Sequence, residues 1–228
     1  MRKHIIHFLI FLTVAALSGC GIPQLIGGIA QNVEYQKQIE VLAQYDDLKN
    51  KSVAVVVGTD LSVQFEHRDL ISNITTGITQ RLMQEVEGIR LVHPRLILAW
   101  QYKTPHWAAM PYGDITKQLG VDRVIYVDIY EYRLHPPGNQ WQWEGLCAAN
   151  VGVLEKEGLD PDDFVYSFSI NAEFPKIKEL TKFEIEERTM KTGLLSQFVK
   201  ETAWVFTDHL EPKYPDKYHP TPARGKVE

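Results

Sequence analysis

The stretch Ser52–Val57, which reads SVAVVV, constrains the fold of this chain more than any other. Because its consecutive residues are almost all apolar and mostly β-branched, both faces of the strand that they form must be covered. Coverage on both faces is typical of a sheet that lies between layers of helices, as in α/β proteins. The sequence therefore predicts a buried strand over 52–57, which the turn residues Gly58-Thr59-Asp60 end.

A long amphipathic helix is predicted after this strand. Its apolar residues recur at intervals of four, which places them on one helix face, and they are Leu70, Ile74, Ile78, Leu82 and Val86. Gly88 lies just past the expected end of the helix, where glycine is favoured. A short strand over 89–92 would complete a β-α-β unit with a right-handed crossover.

The second half of the chain reads as a long hairpin followed by one more strand and a helix. Strands are expected over Arg123–Leu134 and Gln140–Leu154, and the residues between them, 136–139, are the turn formers PPGN. Further elements are expected as helices over 32–45, 94–102, 112–119 and 191–209 and as a strand over 164–174. The order β-α-β-(α)-β-β-β-α predicts an α/β fold, one domain with a mixed five-stranded sheet and helices packed on it.

The first twenty residues resemble the leader of a bacterial lipoprotein. A basic start, MRKH, precedes an apolar run over 5–16 that is too short to span a membrane, and the run ends in Leu17-Ser18-Gly19-Cys20. This ending resembles a lipobox, in which cleavage falls between Gly19 and Cys20 and the thiol of Cys20 carries diacylglycerol and N-acyl (palmitate-type) chains. A plain signal peptide with a coincidental cysteine is the alternative.

The leader sets the expected domain organisation and location. We expect a signal peptide over 1–19, a lipidated tether over 20–32, an α/β domain over 33–210 and a disordered, proline-rich tail over 211–228. Gly21 rather than an aspartate follows Cys20, which in the enteric sorting pattern implies an outer-membrane anchor facing the periplasm. The net charge of −5 disfavours nucleic acid as a partner.

The segment Leu119-Gly120-Val121-Asp122, which leads into the predicted strand from Arg123, carries a family resemblance. Together with the preceding β-α-β pattern, it resembles the envelope-lipoprotein group that contains the TolB N-terminal domain, the curli secretion lipoprotein CsgG and the peptidoglycan-synthase activator LpoB. The match covers about residues 50–175. The resemblance implies a non-enzymatic role in envelope assembly, although the long membrane hairpins of CsgG and the long linker of LpoB have no counterpart here.

Catalytic and metal-binding motifs are missing from the sequence. There is no glycine-rich nucleotide loop or nucleophile elbow, and the histidines of the mature chain lack metal-ligand spacing. We therefore expect no metal, no cofactor apart from the lipid on Cys20, and no catalytic residues. With a four-residue turn, the hairpin register would place Asp128 opposite Cys147. The alternative function is accordingly a periplasmic small-ligand-binding protein or a hydrolase that uses Asp128 near Cys147.

Aromatic residues are concentrated in the hairpin. The same register would place five of them on one face, namely Tyr126, Tyr130, Tyr132, Trp141 and Trp143. Such a face either packs under helices or forms an exposed binding surface near the hairpin tip. Trp141, Trp143, Tyr130 and Tyr132 are thus the candidate partner-binding residues. The function expected is that of a non-catalytic, lipid-anchored envelope lipoprotein that binds a protein partner or assists envelope assembly.

Overall fold

A computed structural model describes residues 37–176 and 179–214. The leader, Cys20, the tether and the tail from residue 215 onward lie outside the described residues, and predictions about them stay predictions. The described residues divide into a small unit, 37–41 with 210–214, and a large unit within 42–209. In chain order the elements are β1 Gln38–Val41, β2 Ser52–Thr59, α1 Leu61–Glu66, α2 Leu70–Glu85, β3 Arg90–Leu91, α3 Pro94–Lys103, a 3-10 turn Trp107–Ala109, α4 Tyr112–Leu119, β4 Arg123–Arg133, β5 Gly145–Glu155, β6 Tyr166–Phe174, α5 Glu187–Trp204 and β7 His209–Pro212.

The described part of the small unit is a two-stranded ribbon. Strand β1 pairs with β7, and the backbone N–H of Lys213 donates to the carbonyl of Lys37 at 2.9 Å. The helix predicted over 32–45 is therefore wrong for the described residues 37–45, because pairing with a distant strand replaces local helical hydrogen bonds. Likewise, Glu211 and Pro212 belong to β7 rather than to the start of a tail.

The large unit has the predicted mixed five-stranded sheet, in the order β3-β2-β4-β5-β6. Strand β2 is parallel to both β3 and β4, whereas β5 and β6 run antiparallel to their neighbours. Residues 53–58 of β2 are all buried, so the prediction of a doubly covered strand is confirmed. The fold is α/β, with helices packed on both faces of the sheet.

Two hydrophobic cores lie on opposite faces of this sheet. The larger contains the buried stripes of α2 and α5, including Ile74, Ile78, Leu194 and Phe198. The smaller contains residues of α3 and α4 packed against alternate residues of β2 and β4. The final helix spans Glu187–Trp204, four residues earlier at its start than predicted and five earlier at its end.

One short helix, α1, was not predicted. The sequence predicts a turn that ends at Asp60. In the structure Asp60 is also the N-cap of α1, because its carboxylate accepts hydrogen bonds from the backbone N–H groups of Ser62 and Val63, at 3.1 and 3.2 Å. This is the capping interaction that aspartate favours at a helix start. Within the described residues, every helix falls short of the length and hydrophobicity that crossing a membrane requires.

The hairpin between β4 and β5 differs most from its prediction. Its connection covers 134–144 rather than four residues, and a bulge shifts the pairing between Ile129 and Glu131. Residues 141–143 pair instead with a later segment, since Gln142 bridges Thr181 and the N–H of Trp143 donates to the carbonyl of Leu180 at 2.7 Å. As a result, Tyr132 and not Asp128 lies opposite Cys147.

Candidate functional site

Asp128 does not lie beside Cys147. It pairs with Asn150 on β5 and with Gly58 on β2, and its side chain is exposed on the face of the sheet that carries the smaller core. Cys147 is fully buried in the larger core, on the opposite face. The predicted juxtaposition of Asp128 and Cys147 is wrong because the longer connection and the bulge shift the register by three residues.

The electrostatics of these two groups do not favour nucleophilic chemistry. Burial raises the pKa of the Cys147 thiol, which keeps it protonated at neutral pH. Partial burial and, second, the neighbouring carboxylate of Asp60 raise the pKa of Asp128 above its ordinary value. Its partner across the strands, Asn150, is a neutral amide whose oxygen accepts a hydrogen bond from the hydroxyl of Ser169 at 2.8 Å. Among the described residues, no group of three or more histidine, cysteine or acidic side chains could hold a metal ion.

Replacing Asp128 by asparagine should leave the free energy of unfolding at pH 7 within about 0.5 kcal/mol of the wild type, because the side chain is exposed. Its raised pKa also means that the carboxylate is less favourable in the folded chain than in the unfolded chain, so the neutral amide removes no stabilising charge. Urea unfolding of the two proteins measures the difference. A loss above about 1 kcal/mol would show that Asp128 has a structural role.

The aromatic residues of the hairpin do not share one face. Tyr126 is buried in the smaller core, whereas Tyr132 and Trp143 are 7% and 2% exposed in the larger core. The prediction that Tyr132 and Trp143 belong to an exposed partner-binding surface is therefore wrong. Tyr130 is exposed, and its hydroxyl donates to the amide oxygen of Asn171 on β6 at 3.1 Å. Trp141 is 67% exposed, the largest exposed fraction among the four candidate partner-binding residues.

Trp143 is held in the larger core by a hydrogen bond and a ring contact. Its indole N–H donates to the carbonyl of Ile185 at 2.9 Å, and its ring stacks on His135 with centroids 4.5 Å apart. The Nδ1 atom of His135 in turn lies 2.8 Å from the carbonyl oxygen of Gln142. These contacts hold the segment 141–143 in one conformation against the residues that precede α5.

Trp141 forms an exposed pair with Phe183, a residue that the sequence analysis did not identify. The two rings stack nearly in parallel, at 10° with centroids 6.2 Å apart, and Phe183 is 88% exposed. The N–H of Lys182 donates to the carbonyl of Trp141 at 3.0 Å, which joins the two segments through their backbones. We call Trp141 and Phe183 the aromatic pair.

A local turn presents Phe183 to solvent. The carboxylate of Glu184 accepts from both the N–H and the hydroxyl of Thr181, at 2.7 and 2.8 Å, and so closes the turn around residues 182 and 183. The spacing of Thr181 and Glu184 is the one sequence signal for this turn. Its position beside Trp141 depends on pairing across about forty residues, which local sequence does not reveal.

No protein-family model matches the chain, and neither does any curated protein. Solved structures similar to it include lipoprotein GNA1162 from Neisseria meningitidis, which is 12% identical, covers 67% of this chain and 97% of its own, and has a TM-score of 0.43. The PelC dodecamer from Paraburkholderia phytofirmans is 9% identical, with 75% and 97% coverage and a TM-score of 0.43.

The LpoB C-terminal domain from Salmonella enterica is also among the similar structures. It is 11% identical, covers 57% of this chain and 84% of its own, and has a TM-score of 0.25. The structures similar to this chain thus include a bacterial lipoprotein, GNA1162, and the LpoB C-terminal domain, both at low sequence identity. The resemblances to the TolB N-terminal domain and to CsgG stay predictions.

Proposed function

We propose that this protein is a non-catalytic envelope lipoprotein, anchored through lipid on Cys20, that binds a protein partner through the aromatic pair. The observation that carries the binding part is the stacked arrangement of Trp141 and Phe183, both largely exposed. Trp and other large aromatic residues dominate binding energy at protein interfaces, because each buries much apolar surface on contact. Two adjacent exposed rings therefore favour a binding surface over a solvated loop.

Preorganisation strengthens this argument. Ordering flexible side chains on binding has an entropic cost, which is smaller where the free protein already holds them in place. Here the backbone bond from Lys182 to Trp141 and the Thr181–Glu184 turn hold the backbones that carry both rings, and the rings already stack on each other in the free protein. The two segments that carry the pair also carry charged side chains, which are typical of an interface rim: Lys182, whose ammonium lies 5.7 Å from the centroid of the Trp143 ring, and Glu144, which forms an ion pair with Arg133 at 2.9 Å.

The leader supports the membrane part of the proposal. Two or more acyl chains on one cysteine give stable attachment, since each buried methylene contributes about 0.8 kcal/mol. An anchored protein meets its partner at the membrane surface, and the outer membrane is the location that Gly21 favours. The proposal includes no catalytic step.

Replacing Cys20 by serine should abolish lipidation and release the protein from the membrane fraction. The hydroxyl of serine does not replace the thiol in the transfer of diacylglycerol, so no acyl chain is attached. Fractionation of native cells followed by immunoblotting measures the distribution, and palmitate labelling measures the lipid. A serine variant that is still labelled and still sediments with membranes would contradict the anchor.

Replacing Trp141 or Phe183 by alanine should remove the crosslink between this protein and its partner in intact native cells. Each change removes one ring of the aromatic pair while leaving the backbone hydrogen bonds between their segments in place. Tyr102→Ala is the matched control, because Tyr102 is an 89% exposed aromatic residue on α3. Wild-type crosslinking yield in both pair variants, or an equal loss in the control, would rule out the aromatic pair as the binding surface.

A further inference from the structure

The five-stranded sheet of the large unit ends in two edge strands of very different length. Strand β3 has two residues, whereas β6 has nine. The pairing of β6 with β5 is continuous from Tyr166 to Phe174, and within the described residues β5 is the only segment that pairs with the backbone of β6. The other side of β6, which we call the open edge, therefore presents backbone N–H and C=O groups that can pair with a further strand.

The sequence of β6 lacks the features that usually protect such an edge. Natural sheets block their edge strands with lysine, proline, bulges or very short strands. Strand β3 is protected by its shortness, but residues 166–174, which read YSFSINAEF, contain neither lysine nor proline, and Glu173 is their one charged residue. Four aromatic or β-branched residues favour an extended strand here. An unprotected edge of this length favours a strand that pairs with another chain.

The side chains of β6 alternate between the two faces of the sheet. On the face of the larger core, Ile170 and Ala172 are buried, whereas Tyr166, Phe168 and Phe174 are only partly buried. On the opposite face the side chains are exposed, and they are Ser167, Ser169, Asn171 and Glu173. The partly buried aromatic rings leave apolar surface at the open edge, which a strand that extends the sheet would cover.

A second copy of β6 fits the open edge in the antiparallel direction. With a two-fold axis at Ile170, the central residue of the strand, all nine residues of each copy are paired. On the core face this register places Tyr166 opposite Phe174 and Phe168 opposite Ala172. Aromatic and apolar pairs of this kind stabilise neighbouring strands.

The exposed face is compatible with the same register. Ser169 would lie opposite Asn171 of the second copy, and Ser167 opposite Glu173. Like charges directly opposite each other destabilise a strand pair, and this register brings none together. The edge is thus self-complementary on both faces.

We propose that this protein forms a symmetric dimer through the open edge, in which β6 pairs antiparallel with β6 of a second copy. The two five-stranded sheets would then form one continuous sheet. Backbone hydrogen bonds supply affinity in such strand additions, and the side-chain pairs determine the register. The dimer does not depend on the partner-binding function proposed above, because the aromatic pair lies outside β6.

Sedimentation equilibrium of the detergent-solubilised lipoprotein, at matched solvent density, tests the proposal, and we expect a monomer–dimer equilibrium for the wild type. Ser167→Lys should tighten the dimer about fivefold, because a cation would face Glu173 of the other copy at two symmetric positions. Ser167→Glu should weaken the dimer about fivefold, because two glutamates would face each other at the same positions. Opposite shifts at one position cannot result from partial unfolding, which would weaken the dimer in both variants.

Asn150→Lys and Asn150→Glu are the matched controls. Asn150 is exposed, but its strand β5 is paired on both sides, so these charges should leave the dimerisation constant unchanged. Shifts in the Asn150 variants equal to those in the Ser167 variants would reflect net charge and overturn the proposal. Equal constants for Ser167→Lys and Ser167→Glu would place the interface elsewhere and do the same. Monomers alone, in both the wild type and Ser167→Lys, would also overturn self-pairing and leave the open edge to a strand of another protein.

Discussion

Replacing Trp143 by alanine should lower the free energy of unfolding by about 3–5 kcal/mol, the cost of removing a large aromatic side chain from a core. Trp143 is 2% exposed and belongs to the larger core. The change also leaves the carbonyl of Ile185 without the indole donor and the ring of His135 without its stacking partner. Guanidinium unfolding followed by circular dichroism measures the loss.

Trp141→Ala is the matched control for this prediction. Trp141 is two residues away and has the same side chain, but it is exposed, so its removal should cost less than about 1 kcal/mol. Equal losses for the two variants would contradict the assignment of Trp143 to the core and Trp141 to the surface. The comparison also shows whether a loss of partner binding in Trp141→Ala reflects the binding surface rather than unfolding.

Replacing Arg123 by alanine should lower the free energy of unfolding by about 3 kcal/mol, because a charged network would lose its central cation. The Arg123 side chain is 9% exposed and forms ion pairs with Asp47 and, at 3.2 Å, with Glu155. Its Nε–H also donates to the hydroxyl of Tyr45 at 3.2 Å, and that hydroxyl donates to Glu155 at 2.9 Å. The network ties the segment before β2 to strands β4 and β5.

Arg133, at the other end of β4, offers the control. It also pairs with two carboxylates, those of Glu131 and Glu144, but its side chain is 27% exposed and its partners are more exposed still. Solvent screens such pairs, so Arg133→Ala should cost less than about 1 kcal/mol. If thermal melts and urea titrations rank the two variants equally, burial is not what makes the Arg123 network important.

The sequence by itself determined those elements whose signals are local. Strand β2 was identifiable because five consecutive apolar residues, 53–57, leave no face for water, and α2 because its apolar residues repeat every four positions. Helix α4 has its predicted bounds, Tyr112–Leu119, since Pro111 precedes it and Gly120 ends it in the left-handed conformation at φ 66°. Such caps and periodicities act within a few residues, so they can be read without knowing the rest of the fold.

Only the tertiary structure decided the candidate sites. The hairpin register followed from the pairing of residues 141–143 with 180–182, and this pairing placed Trp143 in the core, Trp141 in solvent and Asp128 away from Cys147. Pairing with β7 likewise made β1 a strand where the local pattern favoured a helix. The position of Phe183 beside Trp141 could not be predicted for the same reason. Strand register depends on hydrogen bonds and packing between segments that are far apart in the sequence. A local sequence pattern does not specify which distant segment a strand pairs with.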